Sequence, residues 1–82
     1  MDDLEMMIAL ELDSIPFEEL FGNQGAEMRA KTARDMYATL KTSTIKGAIE
    51  ALALAHKTFD QNLASRGLKR RDGSINVHFQ KE

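Results

Sequence analysis

A periodic apolar stripe in the second half of the chain constrains its fold more than any other feature. Its members recur at alternating steps of four and three residues: Ile45, Ile49, Leu52, His56, Phe59 and Leu63. This spacing places the side chains on one face of an α-helix and has the coiled-coil period. Three heptads are too short to define a coiled coil, but they suffice for a tight helical hairpin or for an interface between subunits. The stripe predicts an all-α fold whose main helix spans residues 44–65.

An earlier helix is predicted over residues 26–41 from a narrower seam of mostly small side chains, which would let a neighbouring helix approach closely. The seam consists of Ala26, Ala30, Ala33, Tyr37 and Leu40. Continued past Lys41, it falls one residue out of phase with the later stripe. The hydroxyl residues at 42–44 also lower helix propensity and favour caps, with Thr42 or Ser43 as the candidate cap. A helical hairpin or a bent helix pair is therefore favoured over one continuous helix.

Two short helices are predicted before this pair, over residues 3–12 and 16–21. Asp2 and Glu5 have the spacing of a capping box. Pro16 suits the first turn of the second helix, and the glycine-containing loop that follows, residues 22–25, is the best internal boundary. The chain accordingly divides into an acidic amphipathic segment, 1–23, a central helical region, 24–67, and a basic, β-prone tail, 68–82.

Charge changes sign at the same boundary. Residues 1–23 carry seven acids and no base, whereas residues 24–82 carry eleven Lys and Arg against six acids. The net charge of −2 is therefore the sum of −7 in the first segment and +5 in the second. Such asymmetry indicates a partner, or a segment that folds back on its own chain. The apolar residues among these acids either bind a protein partner or complete the chain's own core. They are Leu4, Met7, Ile8, Leu12, Phe17, Leu20 and Phe21.

The tail combines a basic cluster with a strand-like pattern. Gly67 is expected to end the main helix as a left-handed cap, with Leu68 as its hydrophobic contact. Asp72-Gly73 is a turn signal, and residues 74–80 alternate between apolar and polar, as a strand does. The basic cluster is predicted to contact nucleic-acid phosphates or an acidic partner. Its members are Arg66, Lys69, Arg70 and Arg71.

Composition limits how such a small chain can be stabilised. With 82 residues and no cysteine, it can form neither disulfides nor thiolate metal sites, so homo-oligomerisation is the expected means of stabilisation. No apolar run approaches the ~20 residues of a membrane span, and the acidic start is unlike a signal peptide. We therefore expect a protein of the cytoplasm, or of the host-cell cytoplasm if it is viral, without membrane contact.

Catalytic and metal-binding patterns are sparse. His56 lies on the apolar stripe, where a core or interface histidine is favoured over a metal ligand, although Asp60 four residues later could chelate with it. The glycines fit neither dinucleotide-binding nor P-loop spacing. The sequence predicts no catalytic residue, no metal and no cofactor, and hence a non-enzymatic function.

Two stretches of the helical region resemble the small terminase subunits of T4-type tailed phages. They are Ala33-Arg34-Asp35-Met36-Tyr37 and the alanine-rich line from Lys46 to Lys57. The resemblance covers about a third of the chain. It implies a central antiparallel helical hairpin that builds a ring, recognises or organises viral DNA and regulates a larger packaging subunit. The family turns into a second long helix after the position of Thr58, whereas the helical pattern here runs on to Ala64.

Three functions follow from these patterns. The first is an oligomeric helical phage protein that handles DNA or docks on a larger machine. The second is a small phage-encoded inhibitor or adaptor that binds a host protein through its acidic face. The third is a virion structural peptide whose tail strand pairs with the sheet of a neighbour.

Overall fold

The computed structural model describes residues 2–71, which form four α-helices and one 3-10 turn. The elements are α1 (Asp3–Asp13), α2 (Phe17–Phe21), the 3-10 turn (Gly22–Gln24), α3 (Gly25–Leu40) and α4 (Ile45–Ser65). The all-α class is thus confirmed. The turn predicted at Asp72-Gly73 and the strand predicted over 74–80 lie outside the described residues and stay predictions.

Local capping residues fix where α1 and α4 begin. Asp2 accepts the backbone N–H of Glu5 at 2.8 Å, and the Glu5 carboxylate accepts the N–H of Asp2 at 3.2 Å, so the predicted capping box is confirmed. The break between α3 and α4 is confirmed too. Its cap is Thr44, whose Oγ1 accepts the N–H of Gly47 at 3.0 Å. The expected caps at 42 and 43 were wrong because the turn after α3 occupies them: the N–H of Ser43 still bonds to Leu40 at 2.9 Å.

Gly67 ends α4 as predicted. It has a φ of +72°, its N–H donates to the carbonyl of Ala64 at 3.0 Å, and the N–H of Leu68 donates to Leu63 at 2.8 Å. These two bonds define a Schellman motif. The segment after α4 is therefore directed back toward the body of the protein.

The loop predicted at 22–25 is shorter than expected, because α3 already begins at Gly25. Gly25 is buried against the start of α2. A Cβ atom there would lie 2.8–2.9 Å from backbone atoms of Phe17 and Glu18. Only a glycine allows α2 and α3 to approach this closely.

Helix α1 lies between α3 and α4, and this placement corrects the predicted tight hairpin. Tyr37 bonds to Asp2 at one end of α1 and Arg29 bonds to Asp13 at the other, so α1 and α3 run antiparallel. α3 and α4 make few direct contacts with each other. Both pack on the apolar side chains of α1 and of the α1–α2 connection. The buried core consists of Ile8, Leu12, Ile15, Phe17, Leu40 and Leu52.

Candidate functional site

A buried ion-pair cluster joins α1, α4 and the segment after α4. The Glu11 side chain has no exposed surface, and the Arg70 side chain is 7% exposed. Arg70 Nη2 donates to Glu11 Oε2 at 2.9 Å, while His56 Nδ1 lies 2.8 Å from Glu11 Oε1. Both carboxylate oxygens are therefore engaged, which is what a buried carboxylate requires.

Arg70 uses the rest of its guanidinium inside the same cluster. Its Nε lies 2.5 Å from Asp60 Oδ1, its Nη1 donates to Ser14 Oγ at 2.7 Å, and its Nη2 donates to the His56 carbonyl at 3.2 Å. The next residue, Arg71, donates its N–H to the Ser14 carbonyl at 2.7 Å. Arg70 is thus an internal clamp rather than a surface cation. Within residues 2–71, no group of three or more His, Asp or Glu is placed to hold a metal ion.

The other three members of the predicted basic cluster stay on the surface. Arg66 and Lys69 are exposed, and neither forms an ion pair with another described residue. Arg71 is 55% exposed and lies 3.9 Å from Glu18. Three surface cations thus remain near the end of α4, and one of them is partly neutralised.

The predicted α4 interface stripe faces mainly the chain's own interior. Leu52 and Leu63 are 0% and 3% exposed, and His56 contacts Glu11. Ile49 and Phe59 are partly buried, and only Ile45, at 61%, is largely exposed. The stripe therefore contributes to the core of a single chain, without a partner subunit.

The apolar residues of the acidic segment are also used internally. Ile8, Leu12 and Phe17 are core residues. Leu4, Met7 and Leu20 pack against that core, and Phe21 is 40% exposed. Of the two alternatives for this segment, the structure favours completion of the core.

A groove between α1 and α3, which we call the α1–α3 groove, is a feature that the sequence reasoning missed. Its volume is about 400 Å³. The floor is apolar and the rim is mainly cationic. Apolar lining residues are Ile8, Ala9, Leu12, Ala33 and Ala38; the polar ones are Glu5, Arg29, Arg34, Tyr37 and Lys41. An apolar floor with a charged rim is the usual chemistry of a groove that binds an amphipathic segment.

The cations on the rim differ in availability. Arg29 is 40% exposed and is paired with Asp13 at 2.5 Å. Arg34 and Lys41 are exposed, and the described part of the chain offers neither an ion-pair partner. Arg34 lies on α3 and Lys41 is its C-cap, seven residues later. This spacing is visible in the sequence, but only the packing of α1 shows that both residues border an apolar floor.

A hydrogen bond links α3 to the start of α1 beside the groove. The Tyr37 hydroxyl donates to Asp2 Oδ2 at 3.0 Å. The pKa of Asp2 is lowered, first by the N–H of Glu5 and second by Tyr37. The same hydrogen bond raises the pKa of Tyr37. The two residues hold α1 and α3 at the spacing that forms the groove.

Comparison with known proteins identifies no relative: no family model matches the chain, and neither a curated protein nor a solved structure is significantly similar to it. Among residues 2–71, no helix combines the length and the apolar character needed to cross a membrane.

Proposed function

We propose that this chain is a non-enzymatic helical docking module that binds a segment of a larger protein in the α1–α3 groove. The observation that carries the proposal is the combination of an apolar floor with two exposed cations, Arg34 and Lys41, that have no ion-pair partner among the described residues. An amphipathic segment would bury the floor and neutralise the rim in one step.

Docking through the acidic face has less support. Much of the apolar surface that such an interface needs is buried in the core, since Ile8, Leu12 and Phe17 are at most 6% exposed. Asp2 and Asp13 are engaged with Tyr37 and Arg29. If the protein is an inhibitor or adaptor, its partner therefore binds in the cationic groove rather than on the acidic face.

Site-specific photocrosslinking in the native cell tests this proposal. A photoreactive residue at Ala38, in the groove, should give a discrete protein adduct, whereas one at Thr58, exposed on α4, should not. The Ala38 adduct should be lost with Arg34→Glu/Lys41→Glu. It should persist with Lys46→Glu/Lys57→Glu, which changes the net charge equally at exposed positions on α4. Loss of the adduct in both double variants, or in neither, contradicts docking in the groove.

A second candidate is DNA handling, the function that the small-terminase resemblance implies. It is supported by Arg66 and Lys69, which are exposed and form no ion pair with the residues described here, and by the neighbouring Arg71. Three phosphate contacts would give a slope of about −2.7 in log K against log salt concentration. If Arg66→Glu/Lys69→Glu leaves both the affinity and the slope unchanged in a duplex-DNA titration, these cations are not a DNA-binding site.

A further inference from the structure

The α1–α3 groove has the length and the walls expected for a helical occupant. Its lining on this side runs from Arg29 on α3 to Lys41, the C-cap of α3, about 18 Å along the helix axis. Both walls are α-helices, whose backbone groups are already paired within the helix. An extended peptide would find no strand edge with which to pair, whereas a helix satisfies its own backbone and presents only side chains.

The cations of the rim set the charge pattern of that helix. Arg34 on α3 and Lys41, its C-cap, are one heptad apart, about 10 Å along the helix axis, and both line the groove. Two carboxylates at positions i and i+7 of an occupying helix have the same separation and lie on nearly the same face. Either chain direction would place one carboxylate near each cation.

On these grounds we infer that the occupant is an acidic amphipathic helix, with an apolar stripe against the groove floor and two carboxylates one heptad apart. This inference rests on the proposed docking function and specifies the partner for it. The stripe would contact the accessible residues of the floor, Ala9, Ala33 and Ala38, and the carboxylates would pair with Arg34 and Lys41.

A second copy of the chain does not supply such a helix. Among its 13 acids, only Glu11 and Glu18 are seven residues apart. Glu11 has no exposed surface, and α1 ends at Asp13, between the two. The occupant is therefore a different protein.

Nucleic acid fits the groove less well than an acidic helix. Phosphates would pair with the cations but would leave the apolar floor uncovered. Glu5 on the rim and the chain's net charge of −2 would repel a polyanion. Competition with duplex DNA is one arm of the test.

The test is fluorescence anisotropy with a labelled 18-residue amidated peptide, designed with a leucine stripe and Glu at positions i and i+7 beside it. We expect saturable binding that weakens at least tenfold when both Glu are changed to Gln or are moved to the opposite face. Arg34→Glu/Lys41→Glu should weaken binding by at least the same factor, and Lys46→Glu/Lys57→Glu by less than twofold. Circular dichroism and thermal unfolding should show that each variant is folded, since all four positions are exposed.

Three results would overturn the inference: equal binding of the Glu and Gln peptides, equal effects of the two double variants, or displacement of the peptide by duplex DNA at equal phosphate concentration. Failure of the inference and failure of the proposed function are distinguishable. If the Ala38 crosslink forms but the acidic peptide does not bind, the docking function stands and the partner chemistry is wrong. If neither is observed, both proposals fail.

Discussion

Arg70 and Glu11 are 59 residues apart in the chain, yet Arg70 Nη2 lies 2.9 Å from Glu11 Oε2 in the interior of the protein. The pair links the segment after α4 to α1, and His56 and Asp60 of α4 complete it. In this chain, which has no cysteine, a buried ion-pair cluster rather than a disulfide connects distant segments. Removing one member of such a pair destabilises the fold, because the other is left as an uncompensated buried charge.

Arg70→Met should therefore lower the free energy of unfolding by about 3–5 kcal/mol, because it leaves the Glu11 carboxylate buried without its guanidinium. Glu11→Leu/Arg70→Met should be less destabilised than Arg70→Met, since Glu11→Leu removes the carboxylate that Arg70→Met leaves without its guanidinium. Urea denaturation measures both. Arg66→Met is the matched control at an exposed arginine and should change stability by about 0.5 kcal/mol or less. Equal losses for Arg66→Met and Arg70→Met would show that the cluster does not hold the fold.

Gly25→Ala tests the close approach of α2 and α3. The new methyl group would lie 2.8–2.9 Å from backbone atoms of Phe17 and Glu18, which cannot move without separating the two helices. We expect a loss of about 1–3 kcal/mol, the usual cost of overpacking, although alanine is the better helix former. Gly47→Ala is the control, since its nearest new contact is a side-chain oxygen, Thr44 Oγ1 at 3.2 Å. Chemical denaturation should show Gly25→Ala as clearly the less stable variant; the reverse order would contradict this packing.

The predictable parts of this fold are those that depend on neighbours in sequence. The Asp2–Glu5 capping box, the break before α4 and the Gly67 cap each involve residues within a few positions of one another. Each of these features can be predicted from the residues next to it in the sequence.

The candidate sites could not be predicted in the same way. Lys69, Arg70 and Arg71 are equivalent as a sequence, and only the fold assigns Arg70 to the interior by bringing Glu11 to it. The apolar stripe of α4 predicts a helical hairpin or a subunit interface, because periodicity shows that a face is buried but not what covers it. The α1–α3 groove likewise forms only where α1 packs against α3.

Acid should weaken the attachment of α1 through Asp2. Its pKa is lowered below the ordinary value of 3.8, first by the N–H of Glu5 and second by the Tyr37 hydroxyl. A lowered carboxyl pKa stabilises the fold fully above the unfolded-state pKa of about 3.9, and that stabilisation is lost as the pH falls through the native pKa. The stability difference between wild type and Asp2→Asn should therefore shrink between pH 6 and pH 2, as measured by urea midpoints.

Asp3→Asn is the control for this pH dependence, because it removes the same charge from the first turn of α1 but not the capping residue. Its urea midpoints should follow those of wild type more closely at every pH. In addition, Tyr37→Phe should raise the pKa of Asp2 measured by carboxylate NMR, though by less than loss of the Glu5 hydrogen bond would, since Tyr37 is the second cause. If the urea midpoints of wild type and Asp2→Asn changed in parallel with pH, the stabilisation could not come from the Asp2 carboxylate.

The mass in solution separates a docking module from a ring-forming protein. Homo-oligomerisation was expected because the chain is small and because the stripe on α4 needs cover. α1 and the α1–α2 connection provide cover within the chain, where Leu52 and Leu63 are buried. We therefore expect light scattering on a sizing column to give the monomer mass of 9.2 kDa at low and at high salt. A ring-sized mass that persists in high salt would instead mean that subunits associate through apolar surface that this fold leaves exposed, beginning with Ile45, and would restore the packaging hypothesis.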